Sequence, residues 1–134
     1  MIFEQFFDKT SSTYTYLMSS GRGREAIIID PVLEHVDNYI NTLNKLNLKL
    51  VKVIDTHIHA DHITGMSELK NKTNCETIMG DKTPADIVSI KVKDQEFLTI
   101  DKIKLKAIYT PGHTSESFSF LMDDRVFTGD TLLI

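Results

Sequence analysis

Four of the five histidines in this chain fall in two tight clusters, and a third motif adds a carboxylate. The first cluster is Thr56-His57-Ile58-His59-Ala60-Asp61-His62, and the second is Thr110-Pro111-Gly112-His113-Thr114. The third motif is Phe127-Thr128-Gly129-Asp130-Thr131. Imidazoles and carboxylates are the donors that hold zinc, iron and manganese. In an extended strand His57, His59 and Asp61 stand at steps of two and face one side. Where a strand end frays into a loop, such side chains can fold around an ion. Asp61 and His62 are adjacent and diverge, so they can serve a second ion or act as a base. Asp61 can also cap the helix that follows. A run of four such residues matches a given window by chance with a probability on the order of 10⁻⁶. A Pro-Gly-His turn and a Gly-Asp turn are each common, so His113 and Asp130 gain their force by joining the first cluster.

Other residues of reactive type read as ordinary structure. His35 falls on the wet side of a helix, as a surface or satisfied residue. Cys75 has no histidine beside it and reads as a partly buried, unreactive thiol. Gly21-Arg22-Gly23-Arg24 lacks the glycine spacing and the following helix of a phosphate loop. Lys102, Lys104 and Lys106 read as the solvated face of a strand.

The elements that must position the motifs follow from periodicity. Residues 2–8, 13–19 and 25–30 read as strands, the third ended by Pro31. Val36, Ile40, Leu43 and Leu46 define one face of a helix over 33–47. Residues 49–55 read as a strand covered on both faces. A polar loop over 56–62 leads to a helix over 63–72. Beyond it come short strands, among them 102–107, 117–122 and 125–128, with Ile103, Leu105 and Ala107 alternating against the lysines. The order β-β-β-α-β-α followed by a run of strands predicts a layered α/β sandwich.

Composition narrows the function classes. The chain has 134 residues, 15 basic against 19 acidic, for a formal charge of −4, with 41% hydrophobic residues. This is the composition of one globular domain over residues 1–134, not of a disordered chain. An acidic chain with no basic block predicts no nucleic-acid or anionic-membrane partner. No apolar run approaches the ~20 residues that cross a bilayer. Glu4 and Asp8, with no basic segment before an apolar stretch, do not make a signal peptide. One cysteine excludes an internal disulfide, and a reducing, cytoplasmic setting is expected.

The HxHxDH run, the PGHT turn and the GD turn together resemble the metallo-β-lactamase superfamily. Within it the chain is most similar to the persulfide dioxygenases. The segments that carry this likeness are Glu25–Val32, Thr56–Gly65 (with HADHITG), Thr110–Thr114 and Val126–Ile134 (with FTGDTLLI). The resemblance covers essentially the whole chain and implies the αββα sandwich of that superfamily. It implies a single Fe(II) ion held by His57, His113 and Asp130, and a reaction of glutathione persulfide with O₂ giving sulfite and glutathione. Two histidines and one carboxylate make the facial triad of non-haem iron oxygenases. His59, Asp61 and His62 would then surround the site without ligating. Asp30 resembles the superfamily's early structural aspartate.

The resemblance also implies a longer partner sequence, since family members continue beyond Ile134. This chain is therefore expected to match the N-terminal half of the fold, a partial metallo-β-lactamase domain. It is expected to be inactive or nearly so alone, and to self-associate or need a complementing C-terminal chain. A second enzyme reading is a dinuclear thioester hydrolase resembling glyoxalase II, with Zn in place of iron. There His57, His59 and His113 would hold one ion, Asp61 and His62 the other, and Asp130 would bridge. The non-enzyme reading is a metal-binding remnant without turnover.

Overall fold

Two runs of aromatic and β-branched residues open the chain, and they pair as an antiparallel hairpin of β1 (Ile2–Asp8) and β2 (Thr13–Ser19). In the computed structural model, which describes residues 1–57, 64–83, 88–111, 115–122, 126–127 and 132–133, this hairpin begins a six-stranded sheet. The order is β1-β2-β3-β4-β5-β6, with β3 (Glu25–Ile29), β4 (Lys49–Ile54), β5 (Glu76–Gly80) and β6 (Ile90–Val92) mutually parallel. Parallel neighbours need a crossover, and helices supply two of them. Helix α1 (Val36–Lys45) lies between β3 and β4, and α2 (Met66–Thr73) between β4 and β5.

Both helices pack on one face of this sheet. Val36, Tyr39 and Leu43 of α1 and Met66 and Leu69 of α2 bury Leu17, Ala26, Ile28, Leu50 and Val53. The predicted stripe is right in Val36 and Leu43, but fully buried Tyr39 carries its centre, and Ile40 and Leu46 are half-buried at its margin. The helix is shorter than the 33–47 predicted: Leu33–His35 forms a 3₁₀ turn, and α1 proper ends at Lys45. The strand predicted over 25–30 stops at Ile29, because Asp30 takes a positive φ of 56°, outside the extended region. The second helix runs Met66–Thr73, against the 63–72 predicted, and is capped by Asn74, whose φ of 58° suits an asparagine.

The second sheet is antiparallel throughout, in the order β11-β10-β9-β8-β7. Its strands are β7 (Phe97–Ile100), β8 (Ile103–Tyr109), β9 (Phe118–Leu121), β10 (Val126–Phe127) and β11 (Leu132–Leu133). As the alternation predicts, Ile103, Leu105 and Ala107 are buried and Lys104 is exposed. The buried face packs on the helix-free face of the first sheet. Tyr16, Met18, Ile27, Ile29, Ile54 and Ile78 meet Leu98, Ile100, Phe118, Phe120 and Phe127 there. Tyr16 stands edge-on to Phe127 with centroids 5.0 Å apart, one aromatic contact across the layers.

The result is a helix–sheet–sheet stack, the αββ part of the expected αββα sandwich. Among the described residues no helix lies on the outer face of the second sheet. On that face Phe97 is 54% exposed, with the Lys104 ammonium 4.2 Å from its ring centroid. At one end of the stack Arg24 forks onto Asp101, with Nη2 2.7 Å from Oδ1 and Nε on Oδ2. Ser20 Oγ donates to the same carboxylate. Arg24 first, and Ser20 after it, hold the Asp101 carboxyl far below the ordinary carboxylate range. This clasp joins the β2–β3 turn to the β7–β8 turn.

Candidate metal centre

The parallel strands β3, β4 and β5 end at one rim, and an aspartate follows each: Asp30, Asp55 and Asp81. Each prolongs the ladder by one backbone bond to the next strand. Asp30 N donates to Ile54 O (2.7 Å), Asp55 N to Ile78 O (3.1 Å) and Asp81 N to Val92 O (2.7 Å). In open α/β sheets, ligands gather outside the carboxyl ends of parallel strands.

Asp30 is 1% exposed and anchors the first motif. Its Oδ1 accepts from Thr56 N at 2.8 Å, and the Thr56 hydroxyl donates to its carboxylate at 2.9–3.1 Å. Thr56 Oγ1 also lies 2.9 Å from His57 Nδ1. A hydroxyl has one proton, and here the carboxylate takes it. The Thr56 oxygen can therefore only accept from the imidazole, so Nδ1 of His57 carries the hydrogen. Metal-ligating histidines characteristically donate their other ring N–H in this way. The donor chemistry and this tautomer both fit an ion bound through His57.

The carbonyl side of Asp30 belongs to a second relay. Val32 N donates to the Tyr39 hydroxyl (3.1 Å), which lies 3.1 Å from Thr15 Oγ1. Thr15 in turn donates to Asp30 O at 2.6 Å. With the Thr15 proton used on Asp30, the Tyr39 hydroxyl must be the donor to Thr15. Burial raises the Tyr39 pKa, which keeps that proton in place.

The far end of the first motif is tied to the same strand end. Thr64 Oγ1 donates to Asp55 Oδ1 (3.1 Å), and Gly65 N donates to Pro31 O (3.0 Å). His57 is half-buried at the start of this segment. His59, Asp61 and His62 lie outside the described residues, as do His113 and Asp130.

Two strands of the second sheet lead into the other two motifs. Tyr109, at the end of β8, pairs with Phe118 at the start of β9, and Phe120 pairs with Phe127 at the end of β10. The chain enters the PGHT segment from β8 and the GD segment from β10. Phe118 N then donates to Thr56 O (2.8 Å), which ties the second sheet to the residue before His57. Gly80 makes this approach possible: a Cβ there would lie 2.0 Å from the Phe118 ring. Among the described residues no three metal-ligating side chains converge, since only His57 of the predicted donors is among them.

The remaining reactive-type residues have structural partners. His35 Nε2 lies 2.8 Å from Asp8 Oδ1. Cys75 is buried, and burial pushes its thiol pKa up, away from reactivity. Arg22 of the glycine-rich turn donates to Lys45 O (3.1 Å) at the end of α1. The sequence did not reveal Thr15, Tyr39, Gly80 or Phe118 as parts of the rim. Of the residues around His57 it singled out Asp30, by resemblance.

Comparison with known proteins agrees with this geometry. A family model described as metallo-beta-lactamase superfamily matches residues 9–134. The mitochondrial persulfide dioxygenase ETHE1 of Homo sapiens is 34% identical over 137 residues, covering 100% of this chain and 54% of the relative. The hydroxyacylglutathione hydrolase of Pelagibacter ubique is 35% identical over 123 residues, covering 89% of this chain and 51% of the relative. The crystal structure of ETHE1 from Myxococcus xanthus superposes with a TM-score of 0.93 at 42% identity, over 100% of this chain and 59% of that one. The chain spans about half the length of the curated relatives it matches.

Proposed function

The chain belongs to the metallo-β-lactamase superfamily, and from that premise we propose that it supplies the iron triad of a persulfide dioxygenase. The observation that supports this most is its likeness, over the whole chain, to the persulfide dioxygenases of Homo sapiens and Myxococcus xanthus. In this reading His57, His113 and Asp130 hold one Fe(II). Glutathione persulfide, O₂ and water give glutathione, sulfite and two protons. The sulfane sulfur is oxidised by four electrons and O₂ takes them up. The bound iron would supply the redox chemistry, with open positions for sulfur and O₂.

The chain's own residues prepare that site. Asp30, through the Thr56 hydroxyl, holds the His57 ring at its Nδ1. The Phe118–Thr56 bond fixes the distance between the two sheets whose ends carry the donors. Phe118, Phe120 and Phe127 are fully buried and keep water out of the layer beneath the rim. The reading includes a reducing compartment such as the cytoplasm, on the strength of a single, buried thiol.

A second reading has one specific support. The likeness to a hydroxyacylglutathione hydrolase, together with the full run of His59, Asp61 and His62, favours two zinc-type ions and a metal-activated water attacking a thioester. Metal content separates the two. The expected result is about one iron per chain after anaerobic loading of the parent and of His59→Ala, and a marked loss in His113→Ala. Stoichiometric iron in His113→Ala would overturn the triad. Two zinc ions per chain, weakened by His59→Ala and accompanied by thioesterase activity, would establish the hydrolase instead.

A further inference from the structure

Tyr109 is the last residue of β8, immediately before the segment that carries His113, and neither the triad nor the resemblance uses it. Its hydroxyl donates to Ser115 O at 2.6 Å, across the base of that segment. Two more bonds close the same base: Thr110 N donates to Ser117 O (3.0 Å), and Thr110 Oγ1 lies 2.8 Å from Ser119 Oγ. Whatever path residues 112–114 take, both ends of it are held, and the end beyond His113 is held closest by the Tyr109 hydroxyl.

The residue that carries this hydroxyl is itself held at its backbone and at its ring. Tyr109 N donates to Asp94 Oδ1 at 2.8 Å. The ring packs against Phe118 with centroids 5.4 Å apart and a tilt of 44°. The Lys82 ammonium, on the turn after β5, lies 5.7 Å from the ring centroid. Phe118 is the residue bonded to Thr56, so one aromatic pair links the end of β8 to the residue before His57.

Resting on the triad reading, we propose that Tyr109 is a positioning residue for His113: its hydroxyl ties the backbone at Ser115, two residues beyond His113, and so strengthens metal binding through that histidine. It acts through the backbone and touches neither metal nor substrate in this role. Ser115 is exposed, so water competes for the bond. The effect on metal affinity therefore belongs at the low end of what one hydrogen bond gives, about two- to fivefold.

The test is Tyr109→Phe, which keeps the ring, its contact with Phe118 and its face toward Lys82. Four quantities are compared with the parent: thermal midpoint of the metal-free chain, amide exchange over 109–117, Fe(II) affinity by anaerobic chelator competition, and the visible spectrum of the Co(II)-loaded chain. The expected result is an unchanged midpoint, faster exchange, about two- to fivefold weaker iron binding and a shifted Co(II) spectrum. Faster exchange with unchanged affinity and spectrum would overturn the proposal, because the tie would then not reach the histidine. Unchanged exchange would overturn it too, as would a fall in midpoint that accounts for the whole loss of affinity. His113→Ala is measured alongside. If it binds iron like the parent, the triad reading itself has failed; if it loses iron while Tyr109→Phe does not, only the role of Tyr109 has failed.

Discussion

The His57 ring is held by a hydroxyl with two neighbours. Thr56 gives its only proton to Asp30 and must accept from His57, and that one fact selects the imidazole tautomer. Thr56→Val keeps the shape and removes the bridge. Its expected effect is about ten- to a hundredfold weaker metal binding, in line with other partners of ligating histidines. Thr56→Ser should restore most of the affinity, and chelator competition on the three proteins checks both statements. Equal affinity in Thr56→Val and the parent would show that the ring is held by something else. On the other side of Asp30, Tyr39→Phe leaves Val32 N without its acceptor and Thr15 without its donor in a fully buried place. A loss of about 1–3 kcal/mol in urea unfolding is expected. The sequence suggests a donor set because imidazole and carboxylate at short spacing have little other use; of that set the structure describes His57, just beyond the end of β4. The relay was not legible. Thr15, Asp30, Tyr39 and Thr56 lie far apart in the chain, and no periodicity says which hydroxyl will meet which carboxylate.

Each element is bounded by what its end touches. Asp8 closes β1 and accepts from Ser11 Oγ (2.6 Å) and Ser11 N (3.0 Å), with His35 Nε2 at 2.8 Å from its other oxygen. The Ser11 hydroxyl first, and then His35, bring its carboxyl down to about 2. A folded-state value below the ordinary 3.8 means stabilisation that is complete above about pH 5 and lost as pH falls from about 4 to 2. Asp8→Asn should therefore be less stable than the parent at pH 7, with the gap narrowing by pH 2. Urea midpoints across that range measure it, and a gap independent of pH would contradict this account. The same contacts explain where the sequence reading of the elements stopped short. A helical face over 33–47 was readable from Val36 and Leu43. The conversion of Leu33–His35 to a 3₁₀ turn was not, since Val32 is bridged to Thr64 and His35 to Asp8. The alternation of Ile103, Leu105 and Ala107 with lysines located β8 because one face is wet and the other dry. Short β6 and β7 carry too few residues for a period to show.

Across the whole molecule the two sheets are joined by polar contacts at separate places. One is the Arg24–Asp101–Ser20 clasp, and the other is the Phe118–Thr56 bond beside the rim. Gly80 permits the second by leaving room for the Phe118 ring. Gly80→Ala is expected to lower stability by about 1–3 kcal/mol through overpacking and to weaken metal binding as the ring shifts. Adding Phe118→Leu should recover part of both, with a coupling of about 0.5–3 kcal/mol in a double-mutant cycle on urea unfolding. Simple additivity would mean that the close approach costs nothing. The Phe118–Thr56 bond has a further consequence, in time. It joins residues more than sixty positions apart, so it forms only after the chain between them has been made and folded back. At ~5–20 residues per second of synthesis, Asp30 waits about 1–5 s for Thr56, and Thr56 about 3–12 s more for Phe118. During that interval the hydroxyl and carboxylate that hold His57 are in place before the second sheet exists. On the proposed triad, whose other two donors follow β8 and β10 in the chain, the full set of ligands would be present only once that sheet has been made.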